Sequence, residues 1–546
     1  MPLTPIRPLS AVLLAGLWCS AAQAATFTVT EAGDDIDNFL GDGLCVTATG
    51  GCSLRAALLE ATVLPGSHRI EFNIPTAPGM PAVIAPLSAL PAVVAPIVID
   101  GTTQPGSSAN TLAVGDNAVI NVRLDGANAG ASHGLMFDPN ATGSVLRGLA
   151  VTRFGRSGVY VSGASGVAIA GNFIGTDGGD SGALANVQPA ILVDDGAAGT
   201  QVGTGAPADR NLIVGNTQGV ALESSPGTQV RGNYIGTNRA GTTRVGTETG
   251  IRVLQPQGPG SGIYGNVIGA SQNGIVISDA GSRVSVQGNL IGVGADGAAS
   301  IGGAFSGISI TGADPVASPS FVRVGGGDPG EPNTIANWGT SGIRAQRGNN
   351  LPAPPALRAL RFMHNSIHSN GGLGIELIDN VTGQGAAPGD AVAAVNGGIV
   401  PPTLQSASGN AQGSTASFAF TGAPLASYVY EVFANTACDA SGWGEGQAYL
   451  GELAANTDAG GSSTGSIALP PVPAGTWLTM TATRNFSNGN NDFETSEFSQ
   501  CVQVQGGAPV HPGGGNVAAV PMLGHAGLAL LSMLLGLFGL RQRRRD

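Results

Sequence analysis

A short pattern, small residue–Gly–[Ile/Val]–x–[Ile/Val/Leu], recurs over some two hundred and forty residues and leaves few folds open. It reads His133-Gly-Leu-Met-Phe, Ser157-Gly-Val-Tyr-Val, Pro189-Ala-Ile-Leu-Val, Gln218-Gly-Val-Ala-Leu and Thr249-Gly-Ile-Arg-Val. It continues as Asn273-Gly-Ile-Val-Ile, Ser306-Gly-Ile-Ser-Ile, Ser341-Gly-Ile-Arg-Ala and Leu373-Gly-Ile-Glu-Leu. The second residues stand at 134, 158, 190, 219, 250, 274, 307, 342 and 374, at intervals of 24 to 35. Most copies are followed by Asn-x-Ile-Gly, as at Asn172, Asn233, Asn266 and Asn289.

Each copy holds only three to five residues of apolar alternation, too few for a helix and right for a half-buried strand. Glycine punctuates both ends, so the chain turns after every strand. A unit this small cannot bury its own apolar face and must stack on copies of itself. The expected fold is all-β: a right-handed parallel β-helix over residues 65–402, with the variable intervals absorbed as loops at the turns. Rungs about 4.8 Å apart make nine coils a rod of roughly 40 Å. The asparagines of the second motif suit a ladder. Their amides tolerate a left-handed turn and can bond the next coil's asparagine.

Glycine supplies 88 of 546 residues without a Gly-x-y period, which excludes collagen and leaves turn-dense β structure. All 23 basic residues are arginine, so no mechanism needing a catalytic lysine is open. Net charge is −12. Loss of the leader and tail described below would leave 18 Arg against 34 acids, or −16. Such a surface repels phosphate backbones, which argues against nucleic-acid binding.

Residues 1–24 read as a secretory signal: Arg7, an apolar stretch from Leu9 to Trp18, and Ala22-Gln23-Ala24 as cleavage site. Cleavage there leaves four cysteines in an oxidising compartment, spaced as two local pairs, Cys45–Cys52 and Cys438–Cys501. Residues 25–64 read as an N-terminal cap. It contains the best helix of the mature chain, from Ser53 as N-cap, with Leu54, Leu58 and Ala61 on one face. Residues 403–505 carry longer alternating strands and read as a β-sandwich. Residues 506–519 form a Gly/Pro linker. Within the terminal segment 520–546, Leu523 to Leu540 is 18 residues, about 27 Å as a helix, followed by Arg541 to Arg545. A membrane helix with its basic end in the cytoplasm is expected.

Three stretches resemble known families. Gly41-Asp-Gly-Leu-Cys45, Gly51-Cys-Ser-Leu-Arg-Ala-Ala57 and Glu60-Ala61 resemble the CSLREA domain found ahead of bacterial surface β-helix proteins. Ala56 stands where that motif has Glu, so Ser53 caps the helix without a reciprocal partner. Phe433-Ala-Asn-Thr-Ala-Cys-Asp439 resembles the domain that often follows such β-helices. Val520-Pro-Met-Leu, the apolar run and the arginines resemble the C-terminal signal named for Ile-Pro-Thr-Leu, which exosortase-type transpeptidases recognise. Val520 and Met522 depart from it, and Ala526 stands where a Trp is usual. The resemblance implies a pectin-lyase-like β-helix sent to the cell surface, with the export machinery and an exosortase as partners. It implies no single activity.

The β-helix fold also carries polysaccharide lyases and hydrolases, so the acids need weighing. Asp194-Asp195 is the one double Asp within the coils and the first catalytic candidate, but no Gly-His-Gly follows, and His133 precedes it in the chain. Glu223, Glu248, Asp279 and Glu376 fall at different offsets from their strand glycines. Asp34, Asp35, Asp37 and Asp42 offer oxygen ligands for Ca²⁺, although their spacing is no EF-hand and a solvated loop is the plainer reading. His364 and His368, four apart, would face one side of a strand and could pair on copper or zinc. No cofactor is otherwise indicated. The chain reads as a surface binding or adhesion module for glycans or envelope partners. A polysaccharide lyase or hydrolase and a purely structural envelope protein are the alternatives.

Overall fold

The computed structural model describes residues 24–506 except 180–183, 255–257, 259, 279–282, 313–320, 348–355, 380–381, 383–384, 386 and 487–492. The expected signal (residues 1–23 of it) and everything from 507 onward, including the predicted membrane helix, lie outside them. No helix among the described residues is long and apolar enough to cross a membrane.

Three parallel sheets form the walls of a β-helix. Wall 1 has eleven strands, from Thr26–Val29 and His68–Phe72 to Leu360–Met363. Wall 2 has ten, from Ala82–Ile84 to Ser366–His368, and wall 3 nine, from Leu135–Phe137 to Ile375–Asp379. Each strand pairs with the strand one coil away, as Ile251 with Ile275 and Ile275 with Ile308.

The recurring pattern supplies wall 3. Val159, Ile191, Val220, Ile251, Ile275, Ile308 and Ile343 stack in register, each fully buried. Ala190 precedes Ile191, and before each of the others stands a glycine that space requires. A Cβ on Gly274 would sit 2.6 Å from the Gly307 carbonyl oxygen and 2.7 Å from Ile291 Cγ2. Gly219, Gly250, Gly307 and Gly342 make the same close approach, each against the isoleucine of a wall 2 strand. In the Asn-x-Ile-Gly motif that isoleucine is Ile235, Ile268 or Ile291, so the two motifs are the halves of one contact.

The asparagines form a continuous ladder at the corner between walls 1 and 2. Asn172 Nδ2 donates to Asn211 Oδ1 (3.2 Å), Asn211 to Asn233 (2.8 Å), Asn233 to Asn266 (3.0 Å) and Asn266 to Asn289 (3.0 Å). It runs on through Asn333 and Asn365. The left-handed turn lies elsewhere than expected: Gly171, Gly232, Gly265 and Gly288, each just before a ladder asparagine, take positive φ. Glycine absorbs the bend, and asparagine satisfies the buried backbone it creates.

The segment expected as a cap also contributes the rod's first rung, since Thr26–Val29 pairs with His68–Phe72. Helix Leu54–Val63 covers that end, with Ser53 Oγ accepting from Ala56 N and Leu54, Leu58 and Ala61 buried. Cys45–Cys52 and Cys438–Cys501 are both bonded.

Beyond residue 402 the pairing turns antiparallel, save for the short parallel pair of Ser408 with Gln505 and Gly409 with Gly506. Four strands, including Thr403–Asn410 and Gly413–Thr421, face five, including Ser427–Asn435 and Trp477–Asn485. Phe418, Phe420, Tyr428 and Tyr430 fill the space between. This sandwich closes the last coil of the rod. Ile367 and Gly446 exchange backbone hydrogen bonds, and Phe433 and Phe498 enter the rod's own core.

Candidate functional site

The coils bring Asp194 and Asp195 into a setting that chain order concealed. Asp194 lies in register with Ser162 on the previous rung, and its Oδ1 accepts from Asp195 N. Asp195, at φ 57, turns back over wall 3, where its Oδ2 accepts from Tyr160 Oη and Ser162 Oγ, each at 2.7 Å. Tyr160 stacks on His133 with ring centroids 4.7 Å apart. His133 therefore approaches the acid pair through one tyrosine, although it precedes the pair by some sixty residues.

The electrostatics of this cluster do not make an acid–base pair. Hydrogen bonds from Ser162 and Tyr160 hold Asp195 below the usual carboxylate range. Burial raises Tyr160, and burial together with Arg156 lowers His133. A general acid needs a raised carboxyl and a general base one poised near neutrality. Asp195 is tuned away from both. Further along wall 3, Glu223 pairs with Arg252 and Glu376 with Arg344, each at 3.4 Å. Asp279 lies outside the described residues.

The four N-terminal acids do not converge. Asp34 forms a two-point ion pair with Arg55 and accepts from Leu87 N. Asp35 contributes its backbone oxygen to Ser53 Oγ. Only Asp37 and Asp42 come together, and their third neighbour is Glu60 of the helix. Asp37 accepts from Phe39 N and Val46 N, while buried Glu60 accepts from Gly41 N (2.7 Å) and Gly43 N (2.6 Å). These carboxylates fold the loop 37–46 around the helix.

The expected histidine pair is also split. His364 sits at the bend between Leu360–Met363 on wall 1 and Ser366–His368 on wall 2, with φ 60. A corner, rather than a strand, separates the two rings, and they face different surroundings. His368 Nδ1 meets Ser369 Oγ. His364 packs under Tyr449, with Nδ1 3.4 Å from Glu431 and Nε2 3.2 Å from Glu452 of the sandwich. His364, Glu431 and Glu452 are the second group whose geometry could hold a metal ion.

What sequence reasoning missed is the outward face of wall 1. Arg231, Tyr264 and Gln287 are register partners on three successive rungs. Arg231 lies 4.2 Å above the Tyr264 ring, its guanidinium also bonded to Gln229. With Thr204, Arg210 and Glu331 they line an open cleft of about 660 Å³. A signal was available, because Arg231, Tyr264 and Gln287 all stand two residues before a ladder asparagine. Alternation puts that position on the outer side of the strand, where Arg231 and Tyr264 reach the cleft while Ala170 and Met363 are covered.

Residues 518–545 match the family model described as the IPTL-CTERM motif. This is a C-terminal sorting signal, so the chain is an exported, surface-associated protein with a β-helix body. No curated protein sequence matches the chain. Among solved structures it is similar to a point mutant of the periplasmic alginate epimerase AlgG, with 13% identity, 57% of this chain and 73% of that one covered, and TM-score 0.27. It is similar to full-length tailspike protein 2 of the Escherichia coli O157:H7 bacteriophage CAB120, with 10% identity, coverage of 87% and 64%, and TM-score 0.22. A third is tailspike protein gp49 of the Acinetobacter baumannii bacteriophage Fri1, a capsular polysaccharide depolymerase, with 10% identity, coverage of 88% and 84%, and TM-score 0.26. None superimposes closely, and the fold assignment rests on the strand register.

Proposed function

We propose that the protein is a surface-held binding module that takes extended glycans along wall 1 without cleaving them. The observation that carries this reading is the Arg231–Tyr264 pair in its open cleft. Arg231 covers one face of Tyr264, and its guanidinium and the tyrosine hydroxyl beside it can bond sugar hydroxyls. Rungs repeat at a spacing of about 4.8 Å, so successive outward side chains suit an extended polymer. The wall 3 cluster argues against chemistry, because Asp195 Oδ2 accepts two hydrogen bonds that hold the carboxyl below the range useful to a general acid.

In this reading the N-terminal segment is a CSLREA-type cap. The tail holds the protein in a membrane until an exosortase-type transpeptidase acts on the sorting signal. Deleting residues 520–546 should release the protein from the membrane fraction. Unchanged fractionation would mean that another segment anchors it.

The function is tested with a polysaccharide panel, followed by affinity electrophoresis for binding and by reducing ends and unsaturated-product absorbance for cleavage. Retardation without product release, lost in Tyr264→Ala, is expected. The enzyme reading has one specific observation in its favour, the His133–Tyr160–Asp195 array. Turnover abolished by His133→Ala or Asp195→Ala would replace the binding reading with it.

A further inference from the structure

Three arginines gather toward the sandwich end of wall 1. Arg323 and Arg361 are direct register partners on neighbouring rungs, so two cationic side chains leave the same face about 4.8 Å apart. Ser285 continues that row on the preceding rung, with Arg283 two residues before it. Like charges at such spacing disfavour one another unless something anionic lies between them. The chain supplies one carboxylate: Glu331 takes Arg323 at 2.6 Å. Among the described residues, neither Arg283 nor Arg361 has an acid within ion-pair distance. Glu331, Glu431 and Glu452 reach Arg361 only at longer range.

The two guanidinium groups are held by rings instead. Arg283 lies 5.3 Å over Phe321, and Arg361 lies 4.3 Å over Phe493, a residue of the sandwich. Arg361 Nε is directed at Met363 Sδ. Stacking fixes a planar cation while leaving its N–H edge free, the presentation that recognises a carboxylate through two parallel hydrogen bonds. Burial, and after it the charge of Arg323, press on Arg361 in the direction that an incoming anion would relieve. The space enclosed is a cleft of about 320 Å³, open to solvent and walled by Phe321 and Phe493. In a chain of net charge −12, two arginines without an acid partner among the described residues are a local concentration of cation.

We infer that the cleft formed by Arg283, Arg323, Arg361, Phe321 and Phe493 binds the uronate carboxylates of an acidic polysaccharide. The inference rests on the glycan-binding reading and narrows it to one chemical class at one place. The arginines take the carboxylate and the phenylalanine rings face the sugar. A polymer anchored here has the Arg231–Tyr264 cleft ahead of it on the same wall.

The test uses the full chain in detergent, titrated with polygalacturonate, with dextran as the neutral polymer and dextran sulfate as the sulfated one. Polygalacturonate should bind, and Arg361→Ala or Arg283→Ala should each weaken it at least tenfold. Arg361→Lys should recover only part of that loss, since lysine keeps the charge without the fork. Arg283→Ala, at the cleft edge, guards against a folding defect in Arg361→Ala, and both are checked by thermal melting. Equal binding of dextran and polygalacturonate, insensitive to both arginines but lost in Tyr264→Ala, would overturn the inference and leave the glycan reading standing. Binding of the sulfated polymer alone would overturn the carboxylate assignment. Binding of none of the three would remove the glycan reading itself, and the inference with it.

Discussion

The rod and the seam where the sandwich closes it bury polar groups by opposite means. Inside the rod the buried polar side chains of the ladder are neutral amides, each satisfied by the next coil and by a backbone carbonyl, as Asn233 Nδ2 is by Asn266 Oδ1 and Val202 O. At the seam they are glutamates of the sandwich that accept from the backbone N–H groups of the last coil. Glu431 accepts from His364 N, Glu445 from Asn370 N, and Glu497 from Leu377 N and Gly389 N. Glu494 pairs instead with Arg358. A coil that has a successor can be completed by a copy of itself. The last coil has none, and its exposed donors need acceptors from another fold. Carboxylates serve, but burial drives Glu431 up to about 8 and Glu497 up to about 7, and raises Glu445 as well. The asparagine ladder thus carries no group that titrates, whereas the seam does.

The largest effect should come from breaking the rod's close approach. Gly274→Val places atoms where the Gly307 carbonyl and Ile291 already stand, and is expected to cost more than about 4 kcal/mol or to abolish folding. In the sandwich, Gly413→Ala meets only ordinary contact, its nearest neighbour being Leu469 O at 3.6 Å, and should be close to neutral. Denaturant midpoints compare the two, and equal losses would mean that close backbone approach is no special property of the rod.

Next is the covalent tie of the sandwich. Cys438 and Cys501 close a loop of sequence separation 63, against 7 for Cys45 and Cys52. Loss of the longer bridge by Cys438→Ser with Cys501→Ser should cost about 4 kcal/mol, and loss of the shorter one clearly less. Unfolding monitored separately on rod and sandwich would rank them, and the reverse order would count against a loop-entropy origin.

Asn266→Ala leaves Asn233 without its partner on one side and Asn289 on the other, a loss of about 2–3 kcal/mol. Hydrogen exchange should rise in the neighbouring coils and stay unchanged at the seam. A uniform rise along the rod would show that coils do not act as nearest neighbours.

The smallest effect is the one that separates the regions by pH. Glu431 and Glu497 have folded-state pKa values above their unfolded value of 4.5, so their stabilising protonated forms are fully present below about pH 4.5. That contribution is lost as pH rises through 7 to 8, and the seam should weaken over this window. Glu431→Gln, which cannot ionise, should be neutral at pH 5 and stabilising by about 1–3 kcal/mol at pH 8.5. A pH-independent difference between mutant and parent would show that Glu431 does not titrate in the fold.

Much of the architecture was legible because it is written one coil at a time. The isoleucine stacks of wall 3, the glycines beside them and the ladder through Asn172, Asn233, Asn266 and Asn289 recur with the repeat. A strand's period of two turns that recurrence into a face. The two cysteine pairs were equally plain, since few combinations were open. Contacts between coils and between domains were not written in this way. The intervals of 24 to 35 residues let loops of any length intervene, so separation in sequence says nothing about which outward side chains meet. His133 reached Asp195 through Tyr160 although it lies far before it. His364 and His368, only four apart, were parted by a corner of the coil. The arginine cleft and the seam glutamates exist only once wall 1 and the sandwich are brought together. Repetition determines the rod because each rung needs only its copy. The places where the molecule meets an unlike surface, its own sandwich or a ligand, were left to the tertiary structure.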